Sequence, residues 1–133
     1  MLDRNMIIGI FLAKGNFVVK LESSDTSAIG YHIRMLANIS FRTYDMLNAF
    51  SRTLEMYGIQ HNKYGSAIRL GRVGATKVME MVPESLLHLN PKLSMFRTVS
   101  DIVEKKGHRT LEGLNQIIEI LYGENNGINN NEH

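Results

Sequence analysis

Asp3 to Glu22 reads DRNMIIGIFLAKGNFVVKLE, and the change of period inside this stretch decides the fold. Met6 to Ala13 is uninterrupted by charge, and Asp3 stands where a helix needs an oxygen to accept from its first free N–H groups. We expect a helix over 4–14 capped by Asp3 and stopped at Gly15. From Asn16 the period becomes two. Phe17, Val19 and Leu21 point one way, Asn16, Lys20 and Glu22 the other, and Val18 is the one apolar exception. That is the pattern of a half-buried strand.

The rest of the chain extends this helix-then-strand beginning. Ser23 to Ser27 is polar turn material. Ile29 to Ile39 alternates again, with Tyr31, Ile33, Met35, Ala37 and Ile39 on one face and His32, Arg34 and Asn38 on the other. Arg42 to Tyr57 has helical spacing, its stripe being Met46, Leu47, Phe50, Leu54 and Tyr57, with Gly58 as the stop. Ile59 to Val73 reads as a hairpin folding about Tyr64-Gly65-Ser66. A third helix is expected over Ala75 to Leu87, broken near Val82 by Pro83. After Asn90-Pro91, two more helices are expected, Leu93 to Lys105 and Thr110 to Tyr122, joined around Lys106-Gly107. The order is helix, two strands, helix, two strands, helix, then extra helices, without an internal repeat. This predicts an α+β fold in a single domain over 1–123. The Asn-rich segment 124–133 is expected to be a disordered tail.

Bulk properties narrow the function classes. The chain has 133 residues, 44% of them hydrophobic, enough for one buried core. It has no cysteine, which excludes disulfides and thiolate metal sites and agrees with an intracellular place (cytoplasm, nucleoid or organelle matrix) rather than secretion. The apolar run ending at Lys14 is far shorter than the roughly 20 residues a membrane span takes, so no membrane role is expected. The five histidines, His32, His61, His88, His108 and His133, form no HExxH or other paired ligand spacing. There is no GxSxG, and Gly71-Arg72-Val73-Gly74 is not a phosphate loop. No cofactor, metal or small-molecule substrate is expected. The net charge of +2 is modest, so a nucleic-acid role rests on where the charges sit.

They sit on one face of the strands. If Phe17, Val19, Leu21, Ile33, Met35, Ile68 and Leu70 face the core, the other face carries Asn16, Lys20, Glu22, His32, Arg34, Asn38 and Arg69. In the second hairpin either Gln60 and Asn62 or His61 and Lys63 join that face, because a slip of one residue exchanges the two sets. Arg, Lys, Asn and Gln are the types that read base edges in the major groove. Lys63 and Arg72, near the hairpin ends, are candidates for phosphate contacts. Antiparallel sheets often expose such a face to water with no further role. Lys105, Lys106, His108 and Arg109 form a separate basic cluster, of the kind that is usually a solvated turn.

Three stretches carry a family resemblance. Ile7 to Gly15 is similar to the signature helix of the LAGLIDADG homing endonucleases. Gly9, Ala13 and Gly15 match it outright, and Ile7, Ile10 and Phe11 match in character. Leu47 to Ile59 resembles the segment where a helix ends in Leu-x-x-x-Gly-Ile before the second hairpin. His108 to Leu114, with Ile117 and Ile118, resembles a C-terminal stretch of organellar-type members. The resemblance spans roughly residues 5–122. It implies an αββαββα core with a curved four-stranded antiparallel sheet and C-terminal helices, the concave sheet face lying in the DNA major groove. It also implies that single-motif members pair through their signature helices, which makes Met6, Gly9, Ile10 and Ala13 the expected homodimer interface. Ile8 stands where the family usually has a small residue.

In cutting members an acidic residue just before the last signature glycine binds a divalent metal. Here Lys14 occupies that position, and Leu12 the acidic position two residues earlier. Magnesium takes oxygen ligands, and an ammonium repels it. The next carboxylates, Glu22 and Asp25, lie at or beyond the far end of the first strand. The expected function is a sequence-specific binder of double-stranded DNA, a homodimer without nuclease activity, acting as a regulator or an inactive relic. The alternatives are an RNA-binding cofactor of intron splicing, like a maturase, and a structural component of a ribonucleoprotein complex.

Overall fold

In a computed structural model, residues 3–23, 30–105 and 111–123 are described. The elements are α1 (Arg4–Lys14), β1 (Asn16–Ser23), β2 (Tyr31–Ser40), α2 (Tyr44–Met56), β3 (Asn62–Tyr64), β4 (Ala67–Leu70) and α3 (Arg72–Met81). A 3-10 segment, Glu84–Leu89, follows, then α4 (Pro91–Glu104) and α5 (Leu111–Ile118), which runs into a π turn at Glu119–Gly123. The order predicted from period alone is therefore present. The strands form one sheet in the order β1-β2-β4-β3. β4 is antiparallel to both β2 and β3.

Local chemistry sets the boundaries. The Asp3 carboxylate accepts from the Met6 N–H at 2.8 Å and starts α1. Thr43 does the same for Met46 at 3.2 Å, so α2 begins two residues later than its periodicity suggested. At the end of α2, Gly58 has φ +69, its N–H bonds the Glu55 carbonyl and that of Ile59 bonds the Leu54 carbonyl. This is a Schellman closure, in which the positive φ makes glycine the favoured residue and the buried Ile59 seals the turn. The β3–β4 hairpin turns through Gly65 and Ser66, with Gly65 also at positive φ.

Asn90 does two jobs. Its Nδ2 donates to the Phe11 carbonyl at 3.1 Å, which also accepts from the Gly15 N–H, and to the Gly15 carbonyl at 3.0 Å, tying down the end of α1. Its Oδ1 accepts from the Leu93 N–H at 3.2 Å, which makes it the N-cap of α4 with Pro91 as first helical residue. α4 therefore starts at Pro91 rather than at Leu93.

Two compact units arise. The first comprises Met1–Val18 and Met35–Ser94, the second Val19–Arg34 and Met95–His133. In the first, Phe11 of α1 lies with ring centroids 6.0 Å from Phe17 and 5.3 Å from Phe50, and Phe50 lies 5.0 Å from Phe41. Leu47, Leu54, Ile68, Leu70 and Val78 complete that core. In the second, Phe96, Val99 and Val103 of α4 are buried, as are Leu114, Ile117 and Leu121.

Several expectations are corrected. α3 begins at Arg72, not Ala75, and ends at Met81, with Val82 as its C-cap and Pro83 starting a separate 3-10 turn. Met46 and Tyr57 are exposed and do not belong to the buried stripe of α2. Leu36, which alternation assigns to the side of Asn38, is buried, so that side of β2 is not uniformly polar. The expected tail at 124–133, the Lys106-Gly107 joint and the Ile29 strand start lie outside the described residues.

The early start of α3 has a steric consequence. A Cβ on Gly74 would stand 2.5 Å from the Gln60 carbonyl oxygen and 3.4 Å from Leu70 side-chain atoms. Backbone cannot retreat as a flexible side chain can. Gly74→Ala is expected to destabilise the fold by about 1–3 kcal/mol in denaturant unfolding, although alanine is intrinsically the better helix former. An unchanged midpoint would show that the approach of α3 to Gln60 is not tight.

Candidate nucleic-acid interface

The interface candidates divide between the two units. In the first, strand register places three polar side chains in a row. Arg69 of β4 stands opposite Asn38 of β2 on one side and Asn62 of β3 on the other. The flanking pairs on β4, Ile68 and Leu70, are buried, so the row lies on the sheet face away from the core. The Arg69 Nε donates to the Asn38 Oδ1 at 3.1 Å. The Arg69 Cζ lies 5.3 Å from the centroid of the Tyr64 ring, within cation–π range.

The register also settles the open choice in the second hairpin. Asn62 aligns with Arg69, whereas Lys63 stands opposite Ile68 and belongs with the other face, though it is exposed at the sheet edge. His61 is half-buried and internally engaged. Its Nδ1–H donates to the Ile59 carbonyl at 2.9 Å, so its Nε2 accepts from the Ser51 hydroxyl at 2.6 Å. This pairing holds the chain as it enters β3, and the sequence offered no sign of it. Gln60 is exposed just before β3, and Arg72 is exposed at the first position of α3. Both also line an open cleft of about 790 Å³ beside Gly71 and Val73.

In the second unit, Glu22 of β1 gathers the expected residues of β2. Its Oε1 lies 3.0 Å from the His32 Nε2, and its Oε2 3.7 Å from an Arg34 terminal nitrogen. All three are substantially exposed, so the cluster adds little to stability. It does place a carboxylate beside one terminal nitrogen of Arg34. Lys20 is exposed.

The end of α1 holds no carboxylate. Lys14 is exposed, with its ammonium 4.7 Å from the centroid of the Phe41 ring, and Leu12 is half-buried. Asn16, the first residue of β1, accepts from the Lys92 ammonium at 2.9 Å. Two ammoniums, an amide and an aliphatic side chain are not a donor set for a hard divalent cation. Among the described residues there is no group of three or more His, Cys, Asp or Glu placed to hold a metal.

The outer face of α1 is apolar and open. Met6, at 47% exposure, Gly9 and Ala13 are exposed and Ile10 is half-buried, while Ile7, Ile8 and Phe11 are buried on the opposite side. Ile8 therefore points into this chain's own core and lies off the Met6–Gly9–Ala13 stripe. A Cβ on Gly9 would meet nothing within 4 Å. Among the described residues no helix is long and apolar enough to cross a membrane. Of the basic cluster expected after α4, only Lys105 is described, and it is exposed.

No protein-family model matches the sequence, and no curated protein matches it. Solved structures do match the fold. The homing endonuclease I-TnaI superposes with a TM-score of 0.69 at 22% identity, over 90% of this chain and 85% of that one. The LAGLIDADG homing endonuclease I-LtrWI, bound to target DNA, gives 0.66 at 22% identity over 90% of this chain and 43% of its own. The LAGLIDADG meganuclease I-CpaMI, bound to uncleaved DNA, gives 0.67 at 18% identity over 90% and 44%. The chain thus spans most of the length of I-TnaI and less than half of the other two. Its fold is that of the LAGLIDADG homing endonucleases.

Proposed function

We propose that this chain, built on the LAGLIDADG homing-endonuclease fold, is a sequence-specific double-stranded DNA-binding homodimer without nuclease activity. The observation that carries the reading is the row Asn38–Arg69–Asn62 across three strands, on the sheet face away from the buried Ile68 and Leu70. These side chains are the types whose paired donors and acceptors match base edges. The DNA-bound state of I-LtrWI and I-CpaMI supports the same reading. In the first unit Gln60 and Arg72 are assigned to DNA beside the row, and in the second unit Lys20, His32 and Arg34 are assigned to DNA as well. Lys63, at the sheet edge, is assigned to phosphate.

The dimer reading rests on α1. Its Met6, Gly9, Ile10 and Ala13 stripe is apolar yet open in one copy, and Gly9 has no steric reason to be glycine within this chain. A second copy of the same helix, approaching closely at Gly9 and Ala13, covers the stripe and explains the small residues. Residues 1–123 act as one functional domain in this account.

The absence of cutting rests on Lys14 and Leu12. Hydrolysis of a phosphodiester by a bound metal needs oxygen ligands to hold the ion beside the scissile bond. With an ammonium at that corner, the expected result is no strand cleavage in magnesium or manganese. Metal-dependent cutting of a bound duplex, abolished by a substitution in this chain, would overturn it. The binding reading is tested by competition. Labelled random-sequence duplex bound to the purified protein is challenged with unlabelled duplex and with structured RNA. Duplex is expected to displace the label more effectively. Preferential displacement by structured RNA would replace this reading with that of a splicing cofactor.

A further inference from the structure

We propose that Arg69 is a guanine-reading residue, and that Asn38 and Tyr64 are positioning residues that hold its guanidinium ready for that base. The inference rests on the duplex-binding reading and deepens it. Arg69 sits on β4 with a strand on each side, at the centre of the Asn38–Arg69–Asn62 row. Its Nε–H is spent on the Asn38 side-chain Oδ1, at 3.1 Å. The Tyr64 ring, 5.3 Å from the guanidinium carbon, limits where the plane can lie. Neither contact uses the two terminal nitrogens. They remain as two neighbouring N–H donors on a planar group that has already lost much of its rotamer freedom.

The chemistry of that fork selects the base. In the major groove only guanine presents two adjacent acceptors, O6 and N7. Adenine pairs one acceptor with a donor, cytosine presents a donor, and thymine an acceptor beside a methyl group. A guanidinium steered by its Nε therefore favours guanine and meets a donor or a methyl elsewhere. Arg34 makes the contrast within the same molecule. One of its terminal nitrogens lies 3.7 Å from the Glu22 carboxylate, so its fork is already facing an anion. Arg69 has no carboxylate partner among the described residues, which leaves its charge for the duplex.

The test is selection of bound sequences from a random duplex pool by the full chain and by four variants, with the salt dependence of binding measured on the winning duplex. The parent is expected to enrich a guanine that Arg69→Ala abolishes, other positions keeping their preference. Affinity for the winning duplex is expected to fall roughly 5- to 150-fold. The slope of affinity against salt should stay the same, because no phosphate contact is lost. Asn38→Ala and Tyr64→Leu should weaken the guanine preference part-way, and Tyr64→Phe, which keeps the ring, should retain it. An Arg69→Ala variant that binds folded with the parent's base profile overturns the inference while leaving the duplex reading intact. So does one whose only change is a shallower salt slope. Failure of the parent to enrich any duplex overturns both.

Discussion

Replacing Gly9 with leucine is expected to leave a folded protein that no longer pairs. Within one chain the new side chain meets open space, since a Cβ there has no atom within 4 Å. Leucine is also the better helix former by about 1 kcal/mol, so the unfolding midpoint of the isolated chain should not fall. In the proposed dimer the same side chain would separate helices that meet at Gly9 and Ala13. Light scattering at micromolar concentration should give a dimer for the parent and a monomer for the variant. Binding to a two-half-site duplex should weaken by roughly 10²- to 10⁴-fold, the gain that linking two binding events provides. A parent that is monomeric under these conditions, or a variant that remains dimeric, places the association elsewhere or removes it.

The second large effect is on stability. Phe50 is fully buried and meets the rings of both Phe11 and Phe41, tying α2 to α1 and to the end of β2. Phe50→Ala removes a full aromatic side chain from a site whose ring neighbours, Phe11 and Phe41, come from separate segments of the chain and cannot collapse together. The expected cost is about 3–5 kcal/mol, against a total of roughly 5–15 kcal/mol for an ordinary domain. Denaturant unfolding should show the midpoint collapse, whereas Met56→Ala on the exposed side of the same helix should change it by no more than about 0.5 kcal/mol. A small effect at Phe50 would mean that the aromatic cluster is not the centre of the first unit.

What was legible in the sequence follows from how far each signal reaches along the chain. α1 and α2 announced themselves because helical period, caps and stop residues all lie within a few residues of one another, as at Asp3, Gly15 and Gly58. The alternating strands β1 and β2 were legible for the same reason. β3 was not. It is three residues long with every side chain exposed, so period two had no buried partner to anchor it. Only the pairing of Asn62 with Arg69 chooses between the two possible faces. The start of α3 was hidden by Gly71 and Gly74, residues that read as loop, and Gly74 is there because α3 passes close to the Gln60 carbonyl. Contacts between distant positions left no local trace. Asn90 bonding Phe11 and Gly15, the Ser51–His61 pair and the Lys92–Asn16 bond join segments whose spacing in sequence has no characteristic period. The composition of the candidate reading face was thus visible early. Its division into an arginine held by Asn38 and another facing Glu22 was not.

A sheet that reads duplex DNA beside an α1 end that cannot cut it makes two outcomes visible in one experiment. The purified full chain is incubated with a random duplex pool in magnesium, the bound fraction is recovered, and it is sequenced with strand integrity scored. The predicted result is an enriched sequence motif on uncut strands, bound by two chains per duplex. Enrichment of nothing, or recovery of cleaved strands that depends on the metal and on this chain, would contradict it.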